Sequence, residues 1–233
     1  MKKLTDTIFI VNPCSNGGKA LKDWQKIEPL VKEFFPHSQA LMTKGPGDAT
    51  AYSKSALEDQ NIKKIISVGG DGTNNEIIQS FFDKDHKLKR NDCLFGLFPL
   101  GTGCDFSRTL QIPKNPRQSL QILKDAHHIL CDVGHIKFLK GEIKERFFLN
   151  AFSFGLSGFS AKLINEKGHK KSKFSYFSKG IQSLFKYTPQ TVELSTEDKT
   201  LYHGPMMVVA LANGKYFAAG MKLAPEADLQ SGH

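Results

Sequence analysis

The 233 residues exceed what one small domain needs, and at about 100–200 residues per domain they predict one large domain or two. Hydrophobic residues at 39 %, charged residues at 24 % and eighteen phenylalanines supply a sizeable core and exclude disorder over most of the length. Against 23 Asp and Glu stand 32 Lys and Arg, a formal charge of +9 that favours an anionic partner: nucleic acid, a nucleotide or a membrane surface.

The start, "MKKLTDTIFIVNPCSNGG", has an apolar run broken by Asp6 and Asn12, so it reads as a first strand and not as a secretory signal. No run nears the ~18 uninterrupted apolar residues of a membrane span; the nearest, "FFLNAFSFGLSGFSA", holds Asn150, serines and glycines. Cys14, Cys93, Cys104 and Cys131 are scattered with no CxxC pair, which suggests neither a zinc site nor a disulfide framework and fits reduced thiols in a cytosol.

From residue 7 to about 133, apolar β-type runs alternate with helical patterns. "TIFIVN", "SQALMT", "KKIISV", "CLFGLFPL" and "HILCDVG" read as strands. Trp24, Ile27, Val31 and Phe34 are spaced for one helix face, with Pro29 expected to kink that helix or break it in two. Tyr52, Ala56 and Leu57 mark a second helix, Ile77, Ile78, Phe81 and Phe82 a third, and "NPRQSLQILKDAH" a fourth with Pro116 in its first turn. The alternation predicts an α/β region with a mainly parallel sheet, helices on both faces, and ligands beyond the carboxyl ends of the strands. After Gly134 the pattern turns mainly β, with "HIKFLK", "ERFFLNAFSFG", "QTVELST" and "TLYHGPMMVVALANG" as strands around one helical interval. The expected division is an α/β domain over 1–133 and a mainly β domain over 134–233.

In "SVGGDGTNNE" a turn falls at a strand's carboxyl end. Gly69, Gly70 and Gly72 can take positive φ there and expose amides to a ligand, and Thr73 or Asn74 can cap the next helix, whose N-terminus suits phosphate. Asp71 is the odd member. A carboxylate beside a phosphate is repulsive unless a cation or a transferable proton lies between them, which argues for Mg²⁺ or acid-base work. A tight turn of ordinary turn residues is the plainer reading of the same stretch. "FGLFPLGTGCDFSRTL" repeats the logic with Gly101, Thr102 and Gly103, then Asp105 opening a short helix; a third carboxylate, Asp132, sits where the sheet is expected to end. "IVNPCSNGGKA" is again strand, glycine loop and helix, without P-loop spacing. Asn12 can hydrogen-bond a nucleotide and Lys19 can sit near phosphate; each reads equally well as an ordinary loop residue.

"NPCSNGGKA", "VGGDGTNNE" and "PLGTGCDFSR", in that order on successive strand ends, resemble the diacylglycerol kinase catalytic family, which includes bacterial lipid kinases and sphingosine and ceramide kinases. The likeness runs on through "CDVG", "FLNAFSFGLSG" and "VALANGKYFAAGMKLAPEADLQSG", and GGDGT is shared with the more distant NAD kinases and phosphofructokinases. The resemblance implies an ATP-dependent kinase that phosphorylates a hydroxyl of a diacylglycerol-like or sphingoid lipid with Mg²⁺, its nucleotide site lying between an α/β nucleotide-binding domain (1–133) and a β-sandwich domain for the lipid substrate (134–233). It maps Gly69, Gly70, Asp71, Gly72, Thr73, Asn74 and Asn75 onto the nucleotide-binding loop, and Thr43 and Thr102 onto two nucleotide-contacting threonines. Asp71, Asp105 and Asp132 fall on three acidic positions tied through water to Mg²⁺. Phosphoryl transfer needs these types, because it rests on positioning and charge stabilisation: amides for phosphates, a metal for developing charge, a base for the hydroxyl proton.

Three positions depart from the family pattern. Cys104 replaces an asparagine, so whatever that amide holds, such as neighbouring loop backbone, is expected to be held more weakly. Ser231, in "ADLQSGH", replaces an aspartate of a structural Mg²⁺ site, which is expected to be lost unless Asp228 substitutes. Family members run on past the position of His233 to an Asp-Gly-Glu motif that supplies a general base. The chain is therefore expected to be a fragment of a longer kinase, with Asp71 as the remaining candidate base.

Residues 167–190, "KGHKKSKFSYFSKGIQSLFKYTPQ", carry six lysines and no acid. As a helix they align Phe174, Phe177, Ile181 and Leu184 between lysines, a composition suited to an anionic bilayer; packing of the stripe on the β-sandwich, with solvated lysines, is the other reading. The expected partner is a lipid substrate at the membrane surface, with peripheral contact through 167–190 and a cytoplasmic location at the inner membrane face. No nucleic-acid module is recognised, and a homodimer stays open. A soluble-substrate kinase of the NAD kinase type and a non-catalytic nucleotide- or lipid-binding protein remain as alternatives.

Overall fold

The computed structural model describes residues 5–165 and 182–232. The chain forms two compact units, Met1–Asn150 with Asn213–His233, and Ala151–Ala212.

In the first unit β1 (Thr7–Val11), β2 (Gln39–Met42), β3 (Lys64–Gly69) and β4 (Leu94–Pro99) form one parallel sheet in the order β2-β1-β3-β4. Successive side chains of a strand point to opposite faces. Ile8, Ile10, Ile65 and Leu97 therefore enter one core, and Phe9, Val11, Ile66, Val68 and Phe98 the other. On the first face lie α2 (Asp48–Glu58) and α3 (Asp71–Ile78), through Ala49, Ala56, Leu57, Ile77 and Ile78. On the second lie α1 (Ala20–Phe34) and, after the short α4 (Asp105–Thr109), α5 (Pro116–Asp125), through Trp24, Val31, Phe34 and Leu120. Both faces being covered explains the unbroken apolar run of β1, buried at all five positions. Asn115 caps α5, accepting from the amides of Arg117 and Gln118 ahead of the expected Pro116 turn.

Three elements differ from expectation. α1 continues through Pro29 as one helix. Pro29 and Gln25, whose carbonyl loses its donor, are both exposed, so water can take that acceptor while Trp24, Val31 and Phe34 hold the buried face. α3 stops at Ile78, leaving Phe81 and Phe82 in the turn beyond it. "HILCDVG" is not a fifth strand: Ile129 and Leu130 are 57 % and 81 % exposed, and the backbone there bonds to the chain near Leu229. The next strand, β5 (Gly134–Lys137), begins only at its last residue and pairs antiparallel with β6 (Glu145–Phe148).

In the second unit β7 (Ala151–Gly155) pairs antiparallel with β10 (Val208–Ala212), and β8 (Gln190–Ser195) with β9 (Thr200–Met206). α6 (Leu156–Asn165) follows β7 through Gly155, whose φ of +84° and approach to the Met207 carbonyl, 2.5 Å from where a Cβ would sit, both require glycine. The expected change from a parallel α/β region to antiparallel strands is therefore present. Most of the basic aromatic segment, with Phe174, Phe177 and Ile181, lies outside the described residues. Residues 182–186 are helical, with Leu184 and Phe185 exposed. No helix among the described residues is long and apolar enough to cross a membrane.

Candidate active site

The chain leaves β1 for β2 on one side and returns past β1 to β3 on the other. The connections therefore diverge between β1 and β3, and in parallel sheets ligands bind beyond the strand ends at such a point. Three loops meet there. Asn12, just after β1, donates its backbone N–H to Val68 O at 2.9 Å and its side-chain amide to Thr73 Oγ1 at 3.1 Å, while its Oδ1 accepts from Cys14 N. Thr43, just after β2, is buried and donates its N–H to Val11 O at 2.9 Å. Asn12, Thr43 and the loop from Gly69 to Asn75 are thus gathered at one end of the sheet.

The glycines serve close approach and not positive φ. Gly69, Gly70 and Gly72 do not adopt left-handed backbone; Gly70 has φ −119° and ψ −171°. A Cβ on Gly69 would sit 2.5 Å from Thr73 Oγ1, and one on Gly101 would sit 2.4 Å from Gly70 Cα. The loops after β3 and β4 therefore touch backbone to backbone. A Cβ on Gly72 would meet nothing within 4 Å, which marks the open side of the turn. Thr73 and Asn74 do not cap α3. The helix begins earlier, at Asp71 with Gly70 as its cap, and both residues sit in the first turn with their N–H groups donating to Gly70 O at 3.0 and 3.1 Å.

Asp71 reaches across to the neighbouring loop. Its Oδ2 accepts from Asp105 N at 3.0 Å and its Oδ1 from Phe106 N at 3.1 Å, so one carboxylate satisfies the first amides of α4. Cys104, immediately before, has left-handed backbone at φ 53°, a conformation that asparagine tolerates better than most residues. Its sulfur accepts from Gly101 N at 3.2 Å, and its thiol donates to Gly69 O at 3.7 Å. The bridge between the two glycine loops therefore exists, through a weak donor, as the substitution predicts. Burial pushes this thiol up to about 11, which keeps the proton that makes the bridge.

Asp105 is 5 % exposed. Its Oδ2 accepts from Ala219 N at 2.9 Å, whereas its Oδ1 is buried without a hydrogen bond, 3.7 Å from Arg108 Nε. Burial first, and the nearby Asp71 charge, push its carboxyl above the usual range. A buried carboxylate oxygen that accepts no hydrogen bond is the kind of hard donor that Mg²⁺ takes. Ala218 and Ala219, which bring that N–H, both have positive φ, at 51° and 68°, a conformation costing roughly 1–2 kcal/mol per non-glycine residue. Thr102 lies in the loop with Gly101 and Gly103, and a Cβ on Gly103 would sit 3.6 Å from Asp71 Oδ2 and 3.7 Å from Asp105 Oδ2.

Asp132 is bound differently. Its Oδ2 accepts from Gly232 N at 2.7 Å, and its own N–H donates to Leu229 O at 2.7 Å. In the same segment Asp228 Oδ1 accepts from Gln230 N and Asp228 O from Ser231 N. Asp71 and Asp105 are joined directly. No cluster of ligand atoms within 4.8 Å of one another unites them with Asp132 among the described residues.

Several supports were not legible from motif spacing. Glu76 Oε2 accepts from Gly47 N at 3.0 Å and its carbonyl from the Thr50 hydroxyl, so α3 holds the loop that follows Thr43. Gln79 bonds both backbone groups of Phe147, and Arg108 Nε donates to Gly103 O at 3.3 Å. Glu76 and Arg108 close the quoted stretches "VGGDGTNNE" and "PLGTGCDFSR", which was the only signal available.

A parallel sheet covered by helices on both faces, with glycine loops and two joined aspartates at its switch point, defines an α/β protein whose candidate site lies at the strand ends. More narrowly, the family model described as diacylglycerol kinase catalytic domain matches residues 6–136, over half of the chain, which therefore belongs to the diacylglycerol kinase family of lipid kinases. The model described as YegS C-terminal NAD kinase beta sandwich-like domain matches residues 150–233. A diacylglycerol kinase of Staphylococcus carnosus is 28 % identical over 97 % of this chain and 69 % of its own length. One of Staphylococcus aureus strain JH9 is 29 % identical over 97 % of this chain and 67 % of its own length. A crystal structure of a diacylglycerol kinase from Bacillus anthracis superposes with a TM-score of 0.68 at 26 % identity, covering 100 % of this chain and 72 % of that one.

Proposed function

We propose that the protein transfers the γ-phosphoryl group of ATP to a hydroxyl of a diacylglycerol-like or sphingoid lipid. The observation carrying this reading is the backbone contact of Gly70 with Gly101 at adjacent strand ends, tied by Asp71 across to α4. The loop from Gly69 to Asn75, through the amides that α3 leaves unpaired, would hold the nucleotide together with Asn12, Thr43 and Thr102. Asp71, Asp105 and Asp132 would hold Mg²⁺ through water, a reading supported by Asp105 Oδ1, a buried oxygen that accepts no hydrogen bond. When bound, Mg²⁺ would offset charge on the transferring group. Asp71 would also accept the proton of the acceptor hydroxyl. Residues 134–233 would handle the lipid, and residues 167–190 would touch the inner membrane face of a cytoplasmic enzyme, a reading favoured by exposed Leu184 and Phe185 beside Lys186.

The test is incubation with labelled ATP, Mg²⁺ and vesicles carrying a panel of lipids. Label is expected in an extracted lipid, and Asp71→Ala is expected to lower its formation about 10²-fold or more. Absence of labelled lipid from every class sinks the proposal.

A further inference from the structure

Away from the glycine loops, His86 Nε2 and His135 Nε2 converge on a single carboxylate oxygen, Glu145 Oε2, at 2.9 and 3.1 Å. The three ligand atoms all lie within 4.8 Å of one another, the only such trio among the described residues. We propose that His86, His135 and Glu145 form a binding site for a divalent transition ion of the Zn²⁺ class.

The local fold builds the trio. In the β5–β6 hairpin His135 stands opposite Phe147 and Lys137 opposite Glu145, so His135 and Glu145 are diagonal neighbours on one face. His86 comes from the turn after α3. There Asp83 Oδ1 accepts from the amides of Asp85 and Lys87, and left-handed backbone at His86, φ 61°, fixes the residue. The Phe147 ring stacks on His135 at 4.7 Å and on Phe82 at 4.3 Å, which restrains the first imidazole and packs the hairpin on the turn.

The donor set selects the ion. Two imidazole nitrogens and one carboxylate suit Zn²⁺ and its neighbours, whereas Mg²⁺ and Ca²⁺ take oxygen. With ligand bonds of about 2.0–2.2 Å, tetrahedral zinc separates its ligand atoms by about 3.3–3.5 Å, so each histidine nitrogen need move only a few tenths of an ångström from Glu145 Oε2. The side chains are partly exposed, at 32 %, 22 % and 42 % for His86, His135 and Glu145, leaving a fourth position for water. Ligation requires the Nδ1–H tautomer at both rings. The ion would cross-link the turn after α3 to the β5–β6 hairpin within the first unit. Cysteine spacing could not reveal this site, since its histidines lie 59 and 10 positions from Glu145.

Full-length protein stripped with chelator and titrated with Co²⁺ should give one equivalent of visible d–d absorption without a near-ultraviolet thiolate band, and Zn²⁺ should displace it. Zn²⁺ should raise the Tm of the wild type by mass action, and by less in variants of the trio, whereas any shift given by Mg²⁺ at the aspartates should be the same in wild type and variants. His135→Gln, and independently Glu145→Gln, should weaken Co²⁺ binding at least about 10-fold. A thiolate band, or equal Co²⁺ spectra and Zn²⁺-dependent Tm shifts in wild type and both variants, overturns the proposal. Far-ultraviolet circular dichroism and the metal-free Tm establish that each variant folds, and His86→Asn, on an exposed turn, gives a third reading.

Discussion

The two units use β-structure in opposite ways. β1 is buried at every position and β3 at five of six, between two helical layers, whereas β9 has no buried residue and β8 none. In the second unit Leu201, Val208 and Leu211 are 59 %, 44 % and 48 % exposed on two-stranded ribbons, which are marginal structures in isolation. Rigidity is thus concentrated where loops must be held to a few tenths of an ångström, and the second unit keeps apolar surface uncovered.

Amide hydrogen exchange is the strongest way to break this comparison. β3 amides should exchange on the order of 10³-fold more slowly than β9 amides, because local opening free energy follows buried contact; equal rates would refute it. Next comes a matched pair of glycine substitutions. Gly101→Ala places a methyl group 2.4 Å from Gly70 Cα and should cost about 3 kcal/mol by urea denaturation, with loss of the Tm shift given by ATP. Gly158→Ala, on α6 where a Cβ meets nothing within 4 Å, should change stability by less than about 1 kcal/mol, in the favourable direction.

A smaller effect concerns pH. The raised Asp105 carboxyl means that the folded state holds its proton more tightly than the unfolded chain, whose value is near 3.8. Its burial penalty is absent below that value, grows as pH rises from there to the folded-state value and is complete above it. Asp105→Asn should therefore raise Tm at neutral pH, with the gain shrinking towards pH 4, while losing the proposed phosphoryl transfer. A Tm difference independent of pH would show that the burial of this carboxylate is not what costs stability.

The architecture was legible because burial on both faces leaves a plain mark: continuous apolar runs at β1 and β3 alternating with amphipathic helices. Asn115 and Pro116 likewise announced α5 locally. "HILCDVG" misled because apolar composition does not report pairing, and its backbone is claimed by residues more than ninety positions away, near Leu229. At the site, residue types were readable but their partners were not. Nothing in "GGDGT" says that Asp71 spans to the amides of Asp105 and Phe106, or that Gly101 is small because of Gly70. Glu76 and Ala219 act through contacts fixed only by the three-dimensional arrangement.

The meeting of Gly70 with Gly101 has a thermodynamic side. Ordering a long side chain on binding costs about 0.5–1.5 kcal/mol, and a cradle made of bare peptide groups has no rotamers to lose. The proposed nucleotide binding should then carry a small entropic penalty from the protein. Calorimetry would register it as an association whose unfavourable entropy belongs mainly to the ligand.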